Sequence, residues 1–320
     1  MISGVPLKRQ IRPWFLVVAI GITGMLLWIR FAFKGHSDPA RRLILYCAQD
    51  QDFAEPILRD FETETGVLVR AVFDSEAVKT VGLANRLVAE KNHPQADVFW
   101  GNEEFRTRQL VEQGVFTNGF TPLAGYHRLR QIVINTNLVK LDAAPRSLTD
   151  LTNASWRGKV AIAYPLFGTT ATHFLALRQA WGGTRWRKWC RALVANKALV
   201  VDGNSVVVRL VGRGEAWVGL TDSDDIAAFQ REGLPVAAIN FADTLRIPNT
   251  VAIVTGAPHP ENAAKLVAFL NREDAKRRLA EANAFAPVKP DDPLGLRVDW
   301  DALLRDQEKA VAELKEIFLR

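Results

Sequence analysis

Beyond Arg42 the pattern of apolar and polar positions switches between two periods. RRLILYCAQ, VLVRAVF and ADVFW are short apolar runs of strand type. Between the first two, DFAEPILRDFETET places Phe53, Ile57, Leu58 and Phe61 at helical spacing, and Gly66 follows as a stop. VKTVGLANRLVAEKNH and FRTRQLVEQG carry the same helical period, the second closing at Gly114. Strand, helix, strand, helix, strand predicts a parallel sheet with right-handed crossovers. The alternation then resumes. KVAIAYP, LVVDG, EAWVGLT and NTVAIVTG predict strands; ATHFLALRQAWG, TRWRKWCRALVAN, SVVVRLVGRG and the run from ENAAKLVAFL predict helices. Trp181, Trp186 and Trp189 fall at helical spacing, as core residues do, and WDALLRDQEKAVAELKEIFLR predicts an amphipathic C-terminal helix. Two α/β units of similar size are expected.

The first 40 residues follow neither period. Trp14 to Ile29 is uncharged and mostly apolar, and as a helix extended to Phe33 it would measure about 30 Å, close to the hydrocarbon thickness of a bilayer. Residues 1–40 therefore predict a signal peptide or a membrane anchor spanning 14–33. The one small-x-small cleavage motif, Gly35-His36-Ser37, is poor and favours the anchor. Charge supports the same division. The net charge of +6 resides in residues 1–42, with seven Lys and Arg against one acid, which leaves 34 basic and 34 acidic residues in the rest. A nucleic-acid surface needs excess cation on the folded part, so that class is excluded. Two cysteines, Cys47 and Cys190, fit an export compartment without a disulfide framework and are expected as thiols.

In open α/β sheets ligands bind beyond the carboxyl ends of strands. That rule selects Asp50 after the first strand, Asp74 and Glu76 after the second, and Trp100, Asn102 and Glu103 after the third. From the second unit it selects Gly168, Thr169 and Thr170, then Asn204 and Ser205, then Asp222, Asp224 and Asp225. Three carboxylates within four residues repel one another, and burying one without a partner costs several kcal/mol (order of magnitude). A metal ion, an ammonium or a guanidinium would offset both terms, which makes Asp222, Asp224 and Asp225 the candidate metal ligands. The simpler reading has Asp225 or Ser223 capping the next helix, and Asp50 capping the helix near Phe53. Gly168-Thr169-Thr170 and Asn204-Ser205 open helices, where free N–H groups favour an anion or a plain Thr or Asn cap. Trp100 is a candidate for stacking on a ligand.

Taken in order, LYCAQDQDFAEPILRDFETETG, ADVFWGNEE, VINTN, LTNASWRGKVAIAYPLFGTTATHF, VVDGNS, VGLTDSDD and PNTVAIVTGAPHPENAAKLVAFL resemble the periplasmic substrate-binding components of ABC importers, in particular the ferric-iron-binding-like group. The resemblance covers about Leu43 to Ala286. It implies a two-lobed α/β fold that traps solute by hinge closure, each lobe a mixed sheet flanked by helices. Residues 41–135 and 246–320 would form lobe one, with the C-terminal helix packed back on it, and 136–245 lobe two. It also implies a permease partner in the inner membrane and a periplasmic or extracytoplasmic location. A bound metal ion with a synergistic anion is the cofactor it suggests. Two adjacent tyrosines mark ferric binding in that group and fall at Asp224-Asp225, where this chain has none. The group's first-loop histidine falls near Asp50, and its carboxylate near Asn102 with Glu103 adjacent. Ferric specificity is therefore not implied.

No G-x-S-x-G, G-x-x-x-x-G-K, G-x-G-x-x-G or H-E-x-x-H sequence occurs, so nothing names a reaction. The expectation is a non-enzymatic solute-binding protein with an acidic interlobe cleft for a small cationic, zwitterionic or metal–anion ligand. The alternative is a membrane-anchored sensing module that reports cleft occupancy to a signalling partner.

Overall fold

The computed structural model describes residues 39–73, 79–287 and 295–319. The predicted membrane segment at 14–33 lies outside them, as do Asp74 and Glu76. Among the described residues no helix is long and apolar enough to cross a membrane. Leu43–Arg320 forms one unit by itself.

The sequence periods become elements almost where they were read. β1 (Arg42–Cys47) leads to α1 (Gln51–Thr65), whose buried face is Ala54, Ile57, Leu58 and Phe61. Gly66 ends that helix at φ +69°, a left-handed position that glycine adopts without a Cβ clash. β2 (Leu68–Phe73), α2 (Lys79–Ala89), β3 (Val98–Gly101) and α3 (Glu104–Glu112) follow. β4 (Thr121–Asn135) is the longest strand, and the periodicity does not announce it. Then come β5 (Val160–Ala163), α4 (Gly168–Trp181), α5 (Gly183–Ala195), β6 (Leu199–Val201), α6 (Asn204–Gly212), β7 (Val218–Asp222), α7 (Ser223–Arg231) and β8 (Val236–Ile239). The chain continues through β9 (Arg246–Ile253), α8 (Pro260–Leu270), α9 (Glu273–Glu281), β10 (Ala286–Pro287) and α10 (Trp300–Phe318).

The strands join in the order β2-β1-β3-β9-β4-β7-β5-β6, with β8 and β10 each paired to β4. Pairings β1/β3, β5/β6 and β5/β7 are parallel, as crossover helices require. β9 and β4 run antiparallel to their neighbours at the centre, so the sheet is mixed rather than parallel throughout. β4 carries the continuity: its first part, Thr121 to Leu129, pairs with β9, and Arg130 to Ile134 pairs with β7. Two separate apolar cores flank β1/β3, one around Phe61, Trp100 and Leu266 and the other around Tyr46, Phe99 and Leu110. Another gathers Ile132, Phe174, Trp186, Trp189 and Leu220 around the second set of strands.

α10 packs mainly against α4 and α5 and also touches α3, where Gln109 Nε2 donates to Gln307 and Arg108 lies over the Trp300 ring. Leu303, Leu304, Ala310, Leu314 and Ile317 bury in the core of Phe174, Trp186 and Trp189, on α4 and α5. Glu313 fixes the docking, 3.2 Å from Arg178 and 3.3 Å from Arg187. The reason is local. The apolar stripe of α10 meets an aromatic surface, and its acidic face meets basic residues of α4 and α5. Neither cysteine forms a disulfide, and both are buried.

Candidate functional site

All five residues of β7 are buried between β4 and β5. Gly219 permits that fit, because a Cβ there would lie 2.5 Å from Val207 Cγ1 and 3.1 Å from the Ala161 carbonyl oxygen. The strand thus carries Asp222 and, just beyond it, Asp224 into the interior, at 1% and 2% exposure. Opposite them β4 places Arg128 and Arg130, both buried, with Arg130 and Asp222 direct partners in the ladder. Arg130 Nη1 donates to Asp222 Oδ1 at 2.8 Å and to Asn204 Oδ1 at 2.9 Å. Arg128 Nη1 lies 3.3 Å from Asp224 Oδ2 and 3.7 Å from Asp222 Oδ2, and Arg128 Nη2 donates to the Asn102 carbonyl. Thr169 Oγ1 and Asn204 Nδ2 donate to Asp222 Oδ2 at 2.6 and 3.0 Å, and Thr170 Oγ1 donates to Asn204 Oδ1 at 3.2 Å.

These contacts set the protonation states. Burial raises the pKa of Asp222, but the pull of Arg130 and Arg128, with hydrogen bonds from Thr169 and Arg130, outweighs it, and the carboxyl titrates below its ordinary range. Asp224 is raised by burial and by the neighbouring Asp222 charge, against the opposing pull of Arg128. Glu103, buried at the start of α3, is raised by burial as well. Its Oε1 accepts from Arg106 N at 2.8 Å and its Oε2 from Thr172 Oγ1 of α4 at 3.2 Å.

Carboxylate oxygens of Asp222, Asp224 and Asp225 come within 4.8 Å of one another, so the grouping read from the sequence exists in space. Its charge is met in part, with Asp224 Oδ1 left without a hydrogen-bond partner among the described residues. Two guanidinium groups answer the two buried carboxylates, and the oxygens of Asp222 accept from Arg130, Thr169 and Asn204. A metal ion at Asp222 would have to displace these donors and sit beside Arg128 and Arg130, which leaves Asp224 Oδ1 and Asp225 as the oxygens open to a cation.

A cleft of about 580 Å³ opens next to this network. Its first wall is Gln49, Asp50, Gln51, Asp52 and Phe53, where β1 hands over to α1, together with Phe73 at the end of β2. Its second wall is Ser205 and Arg209 of α6 with Asp225, Ala228, Phe229 and Arg231 of α7 and Glu232 just beyond it. The spacings 205/209 and 225/228/229/232 each present one helical face. Acids outnumber bases on these walls, yet both signs are present.

Of the residues selected from the sequence, Asp50, Ser205 and Asp225 line this cleft. Thr169, Thr170, Asn204, Asp222 and Asp224 belong to the buried network behind it. Gly168 opens α4 at φ +55°, and Asn102 offers its carbonyl to Arg128. Trp100 corrects its expectation: it is fully buried in the core beside β1 and β9, because its strand position faces inward, and it does not reach the cleft. The capping expectations change too. Asp50 holds the N-cap place of α1 without a side-chain cap bond, α7 begins at Ser223 with Asp222 before it, and the Ser223 hydroxyl accepts from Leu129 N at 3.1 Å. Sequence reasoning missed Arg128, Arg130, Arg209 and Arg231. Gln49 lies at the strand end that the rule selects, beside Asp50; the two strand arginines needed the partner strand.

A family model for bacterial extracellular solute-binding proteins matches residues 43–282. A Salmonella typhimurium protein named for 2-aminoethylphosphonate binding in the periplasm is 26% identical over 254 residues, 72% of each chain. Among solved structures, iron-bound HitA from Pseudomonas aeruginosa superposes with a TM-score of 0.74 at 20% identity, over 87% of this chain and 99% of that one. The periplasmic binding protein AfuA from Actinobacillus pleuropneumoniae, solved with fructose-6-phosphate bound, gives 0.71 at 22% identity, over 86% and 98%. At these identities the structures establish the fold. The family and the relatives support capture for transport rather than catalysis, and give no support to the sensing alternative. The chain belongs to the bacterial extracellular solute-binding proteins, with a fold shared by solved iron-binding and sugar-phosphate-bound periplasmic proteins.

Proposed function

We propose that the protein captures a small zwitterionic organic solute in the cleft between α1 and the α6/α7 wall and delivers it to an ABC permease. The observation that carries this reading is the lining of that cleft by carboxylates and guanidinium groups together. Asp50, Asp52, Asp225 and Glu232 suit an ammonium group; Arg209 and Arg231 suit an anionic one. The internal pairing of Asp222 and Asp224 with arginine argues against iron as cargo, although HitA carries it. The Salmonella relative is named for a zwitterion, which makes 2-aminoethylphosphonate the first solute to test.

In this reading residues 41–135 and 246–290 form lobe one, and 136–245 with α10 form lobe two. Residues 1–40 export or anchor the chain. Closure is driven by contacts the solute makes with both walls at once, since a solute with equal affinity for open and closed forms shifts nothing. Asn102, Glu103, Gly168, Thr169, Thr170 and Asn204 then shape the floor, with Asp74 and Glu76 as further lobe-one candidates.

A thermal-shift series on the full-length protein tests it, with 2-aminoethylphosphonate, small amino acids and ferric citrate as probes. A bound solute at a hundred times its Kd adds about 2.7 kcal/mol of stability. The expected result is a shift with the zwitterion that the paired change Asp50→Asn and Asp225→Asn removes. A shift that survives both changes, or one produced by ferric citrate alone, rejects the proposal.

A further inference from the structure

Residues 151–201 contain no Asp or Glu and eight Lys or Arg. The rest of the folded part carries the compensating acids, so the balanced total hides this bias. We infer that the face built by α5 and the adjoining Arg157–Lys159 turn docks on an anionic lipid surface. The inference stands apart from the solute reading of the cleft.

The tertiary structure sorts these cations. Trp186, Trp189, Cys190 and Leu193 bury one side of α5. Arg178 and Arg187 turn to Glu313 of α10, and Arg191 lies 3.7 Å from the exposed Glu316. Arg157, Lys159, Arg185, Lys188 and Lys197 form no ion pair with a described acid. Their surroundings join them into one strip. Thr184, Lys188, Arg191 and Ala195 share the outward face of α5, about 18 Å long, with Arg185 beside it. At the C-terminal end of that face Arg157 Nη1 donates to the Ala195 carbonyl at 2.9 Å, and Gly158 N donates to the Asn196 carbonyl at 2.9 Å. Lys197 follows, exposed. Lys159 Nζ lies 3.6 Å from the centre of the Trp217 ring, and Arg185 Cζ 4.6 Å from that of Trp181.

Two features select lipid over an acidic protein. Half-buried Trp156, Trp181 and Trp217 are interleaved with the cations. Indole rings with one apolar side and one wet side are enriched at the level of lipid headgroups. The apolar run at 14–33, proposed above to export or anchor the chain, ends six residues before Pro39. Fully extended, that tether spans about 20 Å, so a retained anchor holds the folded part beside a bilayer. Each Lys or Arg near an anionic bilayer strengthens attachment about fivefold, and salt screens the effect.

Fluorescence quenching of the full-length protein tests this. Cys47 and Cys190 are buried, so a dye on Thr184→Cys marks the exposed face of α5 alone. The vesicles are phosphatidylcholine, alone or with an equal part of phosphatidylglycerol, each carrying a trace of quencher-bearing lipid. Quenching is expected to require phosphatidylglycerol and to disappear in high salt. Arg185→Gln with Lys188→Gln is expected to lower the ratio of docked to undocked protein about 30-fold. Lys265→Gln with Arg277→Gln removes the same charge from exposed positions on α8 and α9 and is expected to leave that ratio unchanged. Melting temperatures that match the parent confirm the folding of both paired variants. Equal quenching in the two lipids, no quenching in either, or an equal loss in the two paired variants overturns the inference. Dye anisotropy that rises with soluble polyglutamate and not with phosphatidylglycerol vesicles gives the face to an acidic protein, and overturns it as well.

Discussion

Replacing Arg128 by methionine isolates the physics of the buried network. The change keeps an apolar stem of similar length and removes the charge that lies 3.3 Å from Asp224. Asp222 retains Arg130 at 2.8 Å, so the uncompensated group is Asp224, at 2% exposure. Stranding one member of a buried ion pair costs about 3–5 kcal/mol. Asp224 can escape by taking a proton. Burial and Asp222 already raise its pKa, and losing Arg128 raises it further. A carboxyl whose folded pKa lies above its unfolded value contributes stability fully present below the unfolded pKa and lost as pH rises through the folded one. The variant is therefore expected to lose about 3–5 kcal/mol at pH 7.5 and much less near pH 4. Adding Asp224→Leu should recover most of the loss at pH 7.5, because no buried charge then lacks its partner. Urea denaturation at both pH values, for the two single variants and the double, measures each quantity. A loss below about 1 kcal/mol at pH 7.5, the scale of an exposed pair, would show that Arg128 does not neutralise a buried carboxylate. So would an additive double variant.

Three further outcomes follow from other parts of the fold. Glu103→Gln removes a buried acid whose raised pKa makes wild-type stability fall with rising pH from about the ordinary glutamate pKa upward; the variant should show a flatter stability profile between pH 4 and 7 in chemical denaturation. Gly219→Ala should cost about 1–3 kcal/mol by overpacking, since its Cβ would press on Val207 and on the Ala161 carbonyl, and a thermal melt of the unliganded protein reads it. Glu313→Gln should weaken α10 docking by about 1–2 kcal/mol at pH 7 and by little at pH 3. The reason is that Arg178 and Arg187 hold the Glu313 carboxyl below its ordinary range against the opposing effect of burial, so its stabilisation is present above the unfolded pKa and disappears as pH falls. Hydrogen exchange along Trp300–Phe318 at the two pH values checks that.

Particular elements show how far the chain could be read in advance. α1 and α5 were legible because a helix that buries one face must repeat apolar residues at its own period, whatever it packs against. The strands that end at Cys47, Trp100 and Asp222 were legible for a similar reason: buried on both faces, they are nearly continuous apolar runs. β4 was not. Its sequence TPLAGYHRLRQIVIN places Arg128 and Arg130 in the interior, and a local pattern assigns such residues to solvent. They are buried because β7 brings acids to meet them, about 90 residues later in the chain. The destination of α10 was hidden in the same way, since its amphipathic stripe fits any apolar surface and only the aromatic and basic residues of α4 and α5 select one.

The sequence by itself determined the alternation of strands and helices, the uncharged apolar run at 14–29, and the gathering of carboxylates at strand ends. Each of these depends on residues close together along the chain. Only the tertiary structure decided what the carboxylates do. The Coulomb energy between charges depends on distance and burial, and neither is set until distant strands pair. That pairing gives Asp222 and Asp224 to the protein's own arginines and leaves Asp50, Asp225, Arg209 and Arg231 on the walls of the cleft.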